Sequence, residues 1–134
     1  MKTILLVDDS KVTRELIKVY LIVKDVRVLD AADGAEALVA ARRERPDLIL
    51  CDLRMPRLDG PGLCRALAAE PDLARVPVII LTGNKDEASR RLCLEAGARD
   101  VLQKPVGPHD LHEAVRRHAG IAVGLPPTPP PAKP

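Results

Sequence analysis

Four short apolar runs in this chain end on groups suited to phosphoryl chemistry. Asp8 and Asp9 follow residues 4–7, Asp52 follows residues 48–51, Thr82 follows residues 76–81, and Lys104 follows residues 101–103. Three neighbouring carboxylates repel one another unless a cation joins them. Mg²⁺ suits such an open cluster, because it takes a few carboxylates and keeps waters and substrate oxygens. A carboxylate can also act as a nucleophile and form an acyl phosphate. A divalent cation, a hydroxyl and an ammonium can then share the three phosphoryl oxygens. Asp52, Thr82 and Lys104 supply the nucleophile, the hydroxyl and the ammonium. Taken singly, each has a plainer explanation: Asp9 as a helix cap, Thr82 as a strand end, Lys104 as a solvated surface lysine. Their joint placement at strand ends favours the chemical explanation.

The elements that must position these groups alternate regularly. Residues 4–7 read as a buried strand, and Asp9 or Ser10 can cap a helix reaching about Val23. A second strand covers 26–31, and Asp33-Gly34 turns into a helix over 35–45 that stops before Pro46. A third strand covers 48–51, a loop 53–59, and a third helix 60–70. A fourth strand spans 76–81, and a fourth helix 85–96 ends at Gly97. The fifth strand is 101–103 and the last helix 108–119. Near-continuous apolar strands alternating with helices predict an α/β fold, with a parallel sheet covered on both faces. Right-handed crossovers leave few arrangements, and a flavodoxin-like doubly wound (βα)5 order, 2-1-3-4-5, is expected. In such a sheet, ligands bind at the carboxyl ends of the strands, where the five candidate residues fall.

The 134 residues suit one domain, and a soluble globular composition follows from 46% apolar and 30% charged residues. With one Tyr and no Phe or Trp, there is no aromatic platform on which bases could stack. A net charge of +2 gives no phosphate-backbone binder, so no direct nucleic-acid binding is expected. Cys51, Cys64 and Cys93 are odd in number and sit in apolar stretches, as small core hydrophobes in a reducing cytoplasm would. No signal peptide or membrane-length apolar run is evident, so a cytoplasmic protein without membrane insertion is expected. Residues 120–134 form a separate, proline-rich tail. Positions 125–134 alone hold six of the 13 prolines, and a solvated, extended segment is expected there. His109, His112 and His118 fall on the last helix with no evident third metal ligand, so a surface role is expected.

Over residues 2–119 the chain resembles the receiver domains of bacterial two-component response regulators. The pieces that carry the resemblance are Asp8-Asp9, Asp52 followed by Met55-Pro56 and Asp59-Gly60, Thr82-Gly83, and Lys104-Pro105. The stretches from Asp33 to Leu38 and from Glu95 to Ala98 are also similar. The resemblance implies that Asp52 accepts a phosphoryl group from the phosphohistidine of a sensor histidine kinase or phosphotransfer protein. It implies Mg²⁺ bound by Asp9, Asp52 and the backbone carbonyl of Arg54, with Asp8 acting mainly through the metal's waters. Thr82 would donate its hydroxyl to a phosphoryl oxygen. Lys104 would pair with the phosphoryl group, and with Asp52 before it is phosphorylated. The Lys104-Pro105 peptide would be cis.

Two departures stand out. The position three before Lys104 usually holds an aromatic in this family, and here it is Val101. The residue after Lys104-Pro105 is Val106, where Phe is frequent. Arg54 and Asn84 occupy variable positions near the phosphoryl group and would tune its lifetime. With only a short tail after the last helix, the resemblance implies a single-domain regulator acting through a separate effector protein. The expected docking face is the fourth helix, fifth strand and fifth helix, made basic by Lys85, Arg90, Arg91, Arg99, Arg116 and Arg117. Such a domain would be no enzyme in its own right, assisting only its own phosphorylation and dephosphorylation. Two alternatives stay open. One is a protein-binding module of the same fold that is never phosphorylated. The other is a Mg²⁺-dependent phosphatase with an Asp nucleophile, although such enzymes generally carry a second Asp where this chain has Arg54.

Overall fold

The computed structural model describes residues 1–22, 25–83 and 86–120. Ten elements alternate: β1 (Lys2–Val7), α1 (Lys11–Tyr20), β2 (Val26–Ala31), α2 (Gly34–Glu44), β3 (Leu48–Asp52), α3 (Gly60–Ala68), β4 (Val78–Thr82), α4 (Glu87–Glu95), β5 (Asp100–Gln103) and α5 (Pro108–Ala119). All neighbouring strands pair in parallel, in the order β2-β1-β3-β4-β5. The fold is therefore the flavodoxin-like arrangement anticipated above. The chain leaves β1 in one direction to form β2, then returns past β1 to form β3. That reversal opens a crevice at the carboxyl ends of β1 and β3.

Strand alternation divides the core into two layers. Leu5 and Val7, Ile49 and Cys51, and Val78 and Ile80 face α2, α3 and α4, where Ala37, Ala41, Leu63, Leu67 and Cys93 meet them. Ile4 and Leu6, Leu48 and Leu50, and Ile79 and Leu81 face α1 and α5, against Ile17, Leu111, Ala114 and Val115. All three cysteines are free and buried. The core is built from aliphatic side chains and the three cysteines, so side-chain shape and the two covering helix layers support the register of the hydrogen-bonded strands.

Capping explains where the helices begin. Ser10, Asp33, Asp59 and Asp86 each accept a backbone amide at the starts of α1, α2, α3 and α4. Asp86 starts α4 at Glu87, two residues later than the sequence pattern predicts, and Lys85 lies outside the described residues. Helix α1 stops at Tyr20, where the Leu21 amide closes onto Ile17 and Lys18, and Val23 likewise lies outside the described residues. Helix α2 stops at Glu44 because Arg45 turns left-handed, at φ 47°. The tail over 121–134 and Asn84 are also outside the described residues.

Candidate functional site

The sheet brings all five predicted side chains to one edge. Asp8 directly follows β1, Asp52 and Thr82 close β3 and β4, and Lys104 directly follows β5. Pairing of Asp52 with Leu81 and of Thr82 with Gln103 sets the strand ends side by side. The Lys104 amide donates to the Thr82 carbonyl at 2.8 Å, tying the β5 exit to β4. The Lys104-Pro105 peptide is cis.

Asp8 is held at every polar group it has. Its amide donates to the Ala31 carbonyl at 3.1 Å. Its own carbonyl accepts from Arg14 Nη1 at 2.7 Å. Its Oδ1 accepts the Ser10 amide at 2.9 Å, and its Oδ2 accepts Lys104 Nζ at 3.1 Å. Its side chain is 1% exposed. Lys104 reaches Asp52 Oδ1 at 3.1 Å as well, so one ammonium serves two carboxylates. The pairing with Asp52 was expected; the pairing with Asp8 was not.

Sharing that ammonium has electrostatic consequences. Burial pushes the Asp52 carboxyl above its ordinary range, and the nearby Asp8 charge adds to this; Lys104 opposes the rise without cancelling it. Burial by itself would lower the Lys104 pKa. Hydrogen bonds and charge attraction from Asp52 and Asp8 outweigh burial and hold it above the usual lysine value. The site therefore holds an ionised lysine and carries more carboxylate than its one ammonium neutralises.

Asp9 is exposed beside this pair. One oxygen from each of Asp8, Asp9 and Asp52 lies within 4.8 Å of the others. An all-oxygen donor set, incompletely neutralised and open on the Asp9 side, fits a hard divalent cation that keeps part of its water shell. A cleft of about 520 Å³ adjoins it, lined by Asp52, Leu53, Arg54, Thr82 and Gly83. Thr82 is 5% exposed, and Arg54 is exposed to solvent. The loop after β3 folds back on itself: the Gly60 amide donates to the Leu53 carbonyl at 2.9 Å, and a Cβ on Gly60 would press on the Asp52 carbonyl. This close approach holds the start of α3 against the end of β3.

Most of the chain matches a known family. The family model of the response regulator receiver domain matches residues 4–116. The chain belongs to that family. It is 42% identical over 113 residues to a probable transcriptional regulator, ycf27, of Porphyridium aerugineum, which covers 84% of this chain and 46% of that protein. The chain spans about half the length of the curated relatives it matches. A response regulator structure from Chloroflexus aurantiacus superposes with a TM-score of 0.84 at 32% identity, over 90% of this chain and 98% of that one. The receiver domain of the sensor histidine kinase PA1611 from Pseudomonas aeruginosa PAO1 gives 0.82 at 39% identity, over 90% and 98%. That receiver holds a magnesium ion in its active site cleft.

Other groups near the receiver site differ from expectation. Arg14 and its partner Asp30 do not stand out in the sequence, because their link to Asp8 joins α1, β2 and the β1 exit. The histidines are not uniformly on the surface. His109 is exposed, but His112 Nε2 lies 2.6 Å from the Tyr20 carbonyl, and His118 Nε2 lies 3.1 Å from Asp100 Oδ2. On the expected docking face, Arg91 is exposed. Arg90 bonds the Val101 carbonyl, and Arg116 and Arg117 pair with Glu113. Among the described residues, no helix is long and apolar enough to cross a membrane.

Proposed function

We propose that this receiver domain is a phosphorylation-controlled switch in the cytoplasm, with Asp52 as the phosphoacceptor and Mg²⁺ as its cofactor. The observation that carries this reading is the Lys104 ammonium bridging Asp8 and Asp52 beside Asp9, with Thr82 on the adjoining cleft. Asp8, Asp9, Asp52 and the Arg54 carbonyl would hold the metal. When bound, it supplies positive charge to the carboxylates and the phosphoryl oxygens.

An Asp52 oxygen attacks the phosphorus of a partner's phosphohistidine. The O–P bond forms as the P–N bond breaks, and that electron pair stays on the departing imidazole nitrogen. Lys104 shifts from Asp52 toward a phosphoryl oxygen and keeps Asp8 as its second partner. The Thr82 hydroxyl donates to another phosphoryl oxygen, a charge-assisted bond. Hydrolysis returns the Asp52 carboxylate and inorganic phosphate. The domain is then no enzyme on other substrates, and its output is a changed affinity for an effector protein at α4, β5 and α5. In this reading neither nucleic acid nor membrane is contacted directly by the receiver.

The test is incubation with Mg²⁺ and acetyl phosphate. One acid-labile phosphoryl group should be added to the wild-type chain and none to Asp52→Asn, because an amide is a poor nucleophile. No incorporation into the wild type would instead make it an unphosphorylated binding module. Sustained turnover of a phosphomonoester would make it a phosphatase.

A further inference from the structure

We infer that Arg14, locked by Asp30, is the positioning residue that aims Asp9 at the divalent cation; this rests on the acidic pocket being the metal site. Arg14 lies in the second turn of α1, and its side chain is only 15% exposed. Its Nη1 donates to the Asp8 carbonyl at 2.7 Å, and its Nε donates to Asp30 Oδ2 at 3.0 Å. Asp30 stands on β2 opposite Leu6 of β1, so the anchor belongs to the sheet and not to a loop.

The carbonyl that Arg14 grips belongs to the peptide joining Asp8 to Asp9. A peptide is planar, so a hydrogen bond on its oxygen restrains the tilt of the plane that also carries the Asp9 nitrogen. Asp8 needs no further help, since Lys104 and the Ser10 amide already fix its carboxylate. Asp9 is exposed, yet one of its carboxylate oxygens lies within 4.8 Å of oxygens of Asp8 and Asp52, so the placement of its backbone decides whether its side chain can reach the cluster. The guanidinium fork is suited to this task, because two donors at a fixed angle reach a carbonyl and a carboxylate at once. A lysine could satisfy one acceptor well and the other poorly.

Charge alone predicts the opposite effect. Arg14 is a cation near a cation site, and removing it should then tighten Mg²⁺ binding. Positioning predicts weaker binding. Asp30 separates the two explanations again, since losing its charge and losing Arg14's charge have opposite electrostatic signs but the same effect on the Asp8–Asp9 peptide.

The experiment is calorimetric titration of the full chain with MgCl₂, for wild type, Arg14→Gln, Arg14→Lys, Asp30→Asn and Lys18→Gln. Lys18 is a charge-matched control: it pairs with Asp30 at 3.0 Å but does not touch the Asp8 carbonyl. Arg14→Gln should weaken Mg²⁺ about tenfold, as loss of a group orienting a metal ligand does. Arg14→Lys should recover part of that loss, Asp30→Asn should weaken binding by a smaller factor, and Lys18→Gln should stay within twofold of wild type. Thermal melts without Mg²⁺ identify any variant that fails to fold, in which case Arg14→Lys and Asp30→Asn decide. Tighter or unchanged binding in Arg14→Gln, or opposite shifts in Arg14→Gln and Asp30→Asn, would overturn the role of Arg14. A wild-type chain without saturable Mg²⁺ binding would overturn the reading of the pocket itself.

Discussion

Lys104 Nζ lies 3.1 Å from the Oδ2 of Asp8, a carboxylate that is 1% exposed and 96 positions earlier in the chain. The contact joins the two ends of the domain and neutralises a charge that water cannot reach. Lys104→Met should leave Asp8 buried without a counter-ion, its Oδ1 still held by the Ser10 amide. The expected loss is about 2–3 kcal/mol, below the range for fully buried pairs because Lys104 itself is 27% exposed. Urea denaturation measures it. Saturating Mg²⁺ should return part of the loss by binding the folded state. A Mg²⁺-free variant as stable as wild type would show that Asp8 is solvated when Lys104 is removed.

The Arg14–Asp30–Lys18 cluster predicts a pH dependence. Burial raises the Asp30 pKa, but hydrogen bonds and charge attraction from Lys18 and Arg14 outweigh it, and the net shift is downward from 3.8. A carboxyl with a lowered native pKa adds stability that is fully present above its unfolded value. That stability is lost as pH falls through the lower native value. Asp30→Asn should therefore be less stable than wild type at pH 7 by about 1 kcal/mol, and the two curves should converge below 3.8. A gap independent of pH would assign the loss to packing.

Gly34 opens α2 against the loop that precedes α3. A Cβ there would overlap the carbonyl oxygen and Cβ of Leu58, which are not the ends of a flexible side chain. Gly34→Ala should lower stability by about 1–3 kcal/mol, as overpacking does. The same substitution at Gly83, where a Cβ meets nothing within 4 Å, should change stability far less. Paired melting curves make the comparison, and equal losses would sink it.

The strands and the five pocket residues were legible because β1, β3 and β4 are short, near-continuous apolar runs, buried on both faces, and the pocket residues stand where the apolar runs end. The cap at Asp86 was not: its side chain accepts the Ala88 amide, but the sequence pattern allows the helix to start at Lys85 equally well. Arg14 and Asp30 were hidden for a different reason. Each reads as an ordinary surface charge, and only the strand pairing of β1 with β2 brings Asp30 under α1. His112 was misplaced on the surface because helical periodicity does not reveal that the end of α1 offers it a carbonyl.

The last prediction concerns signal relay without the usual aromatic. Val101 is 9% exposed, packed in the core and paired with Ile80. It is β-branched and stiff at χ1, so it cannot copy the swing of a large ring. Its carbonyl, however, accepts from Arg90 Nη1 of α4 at 3.2 Å. When Thr82 moves toward phosphoryl oxygens, Gly83 gives the following backbone room to follow. Displacement of α4 would then pull on β5 through Arg90 and leave the Val101 side chain nearly in place. Amide NMR with and without beryllofluoride plus Mg²⁺, a stable mimic of the phosphorylated form, reads this directly. Large shifts should appear at Thr82, Gly83 and residues 86–90, with smaller ones at 100–103. In Arg90→Ala the shifts at 100–103 should fall to less than half, while those at 82–83 persist. Shifts confined to the surroundings of Asp52, or an unchanged pattern in Arg90→Ala, would rule out Arg90 as the link. In the second case, packing of Val101 against Ile80 and Cys93 would be left to carry the change from β4 to β5.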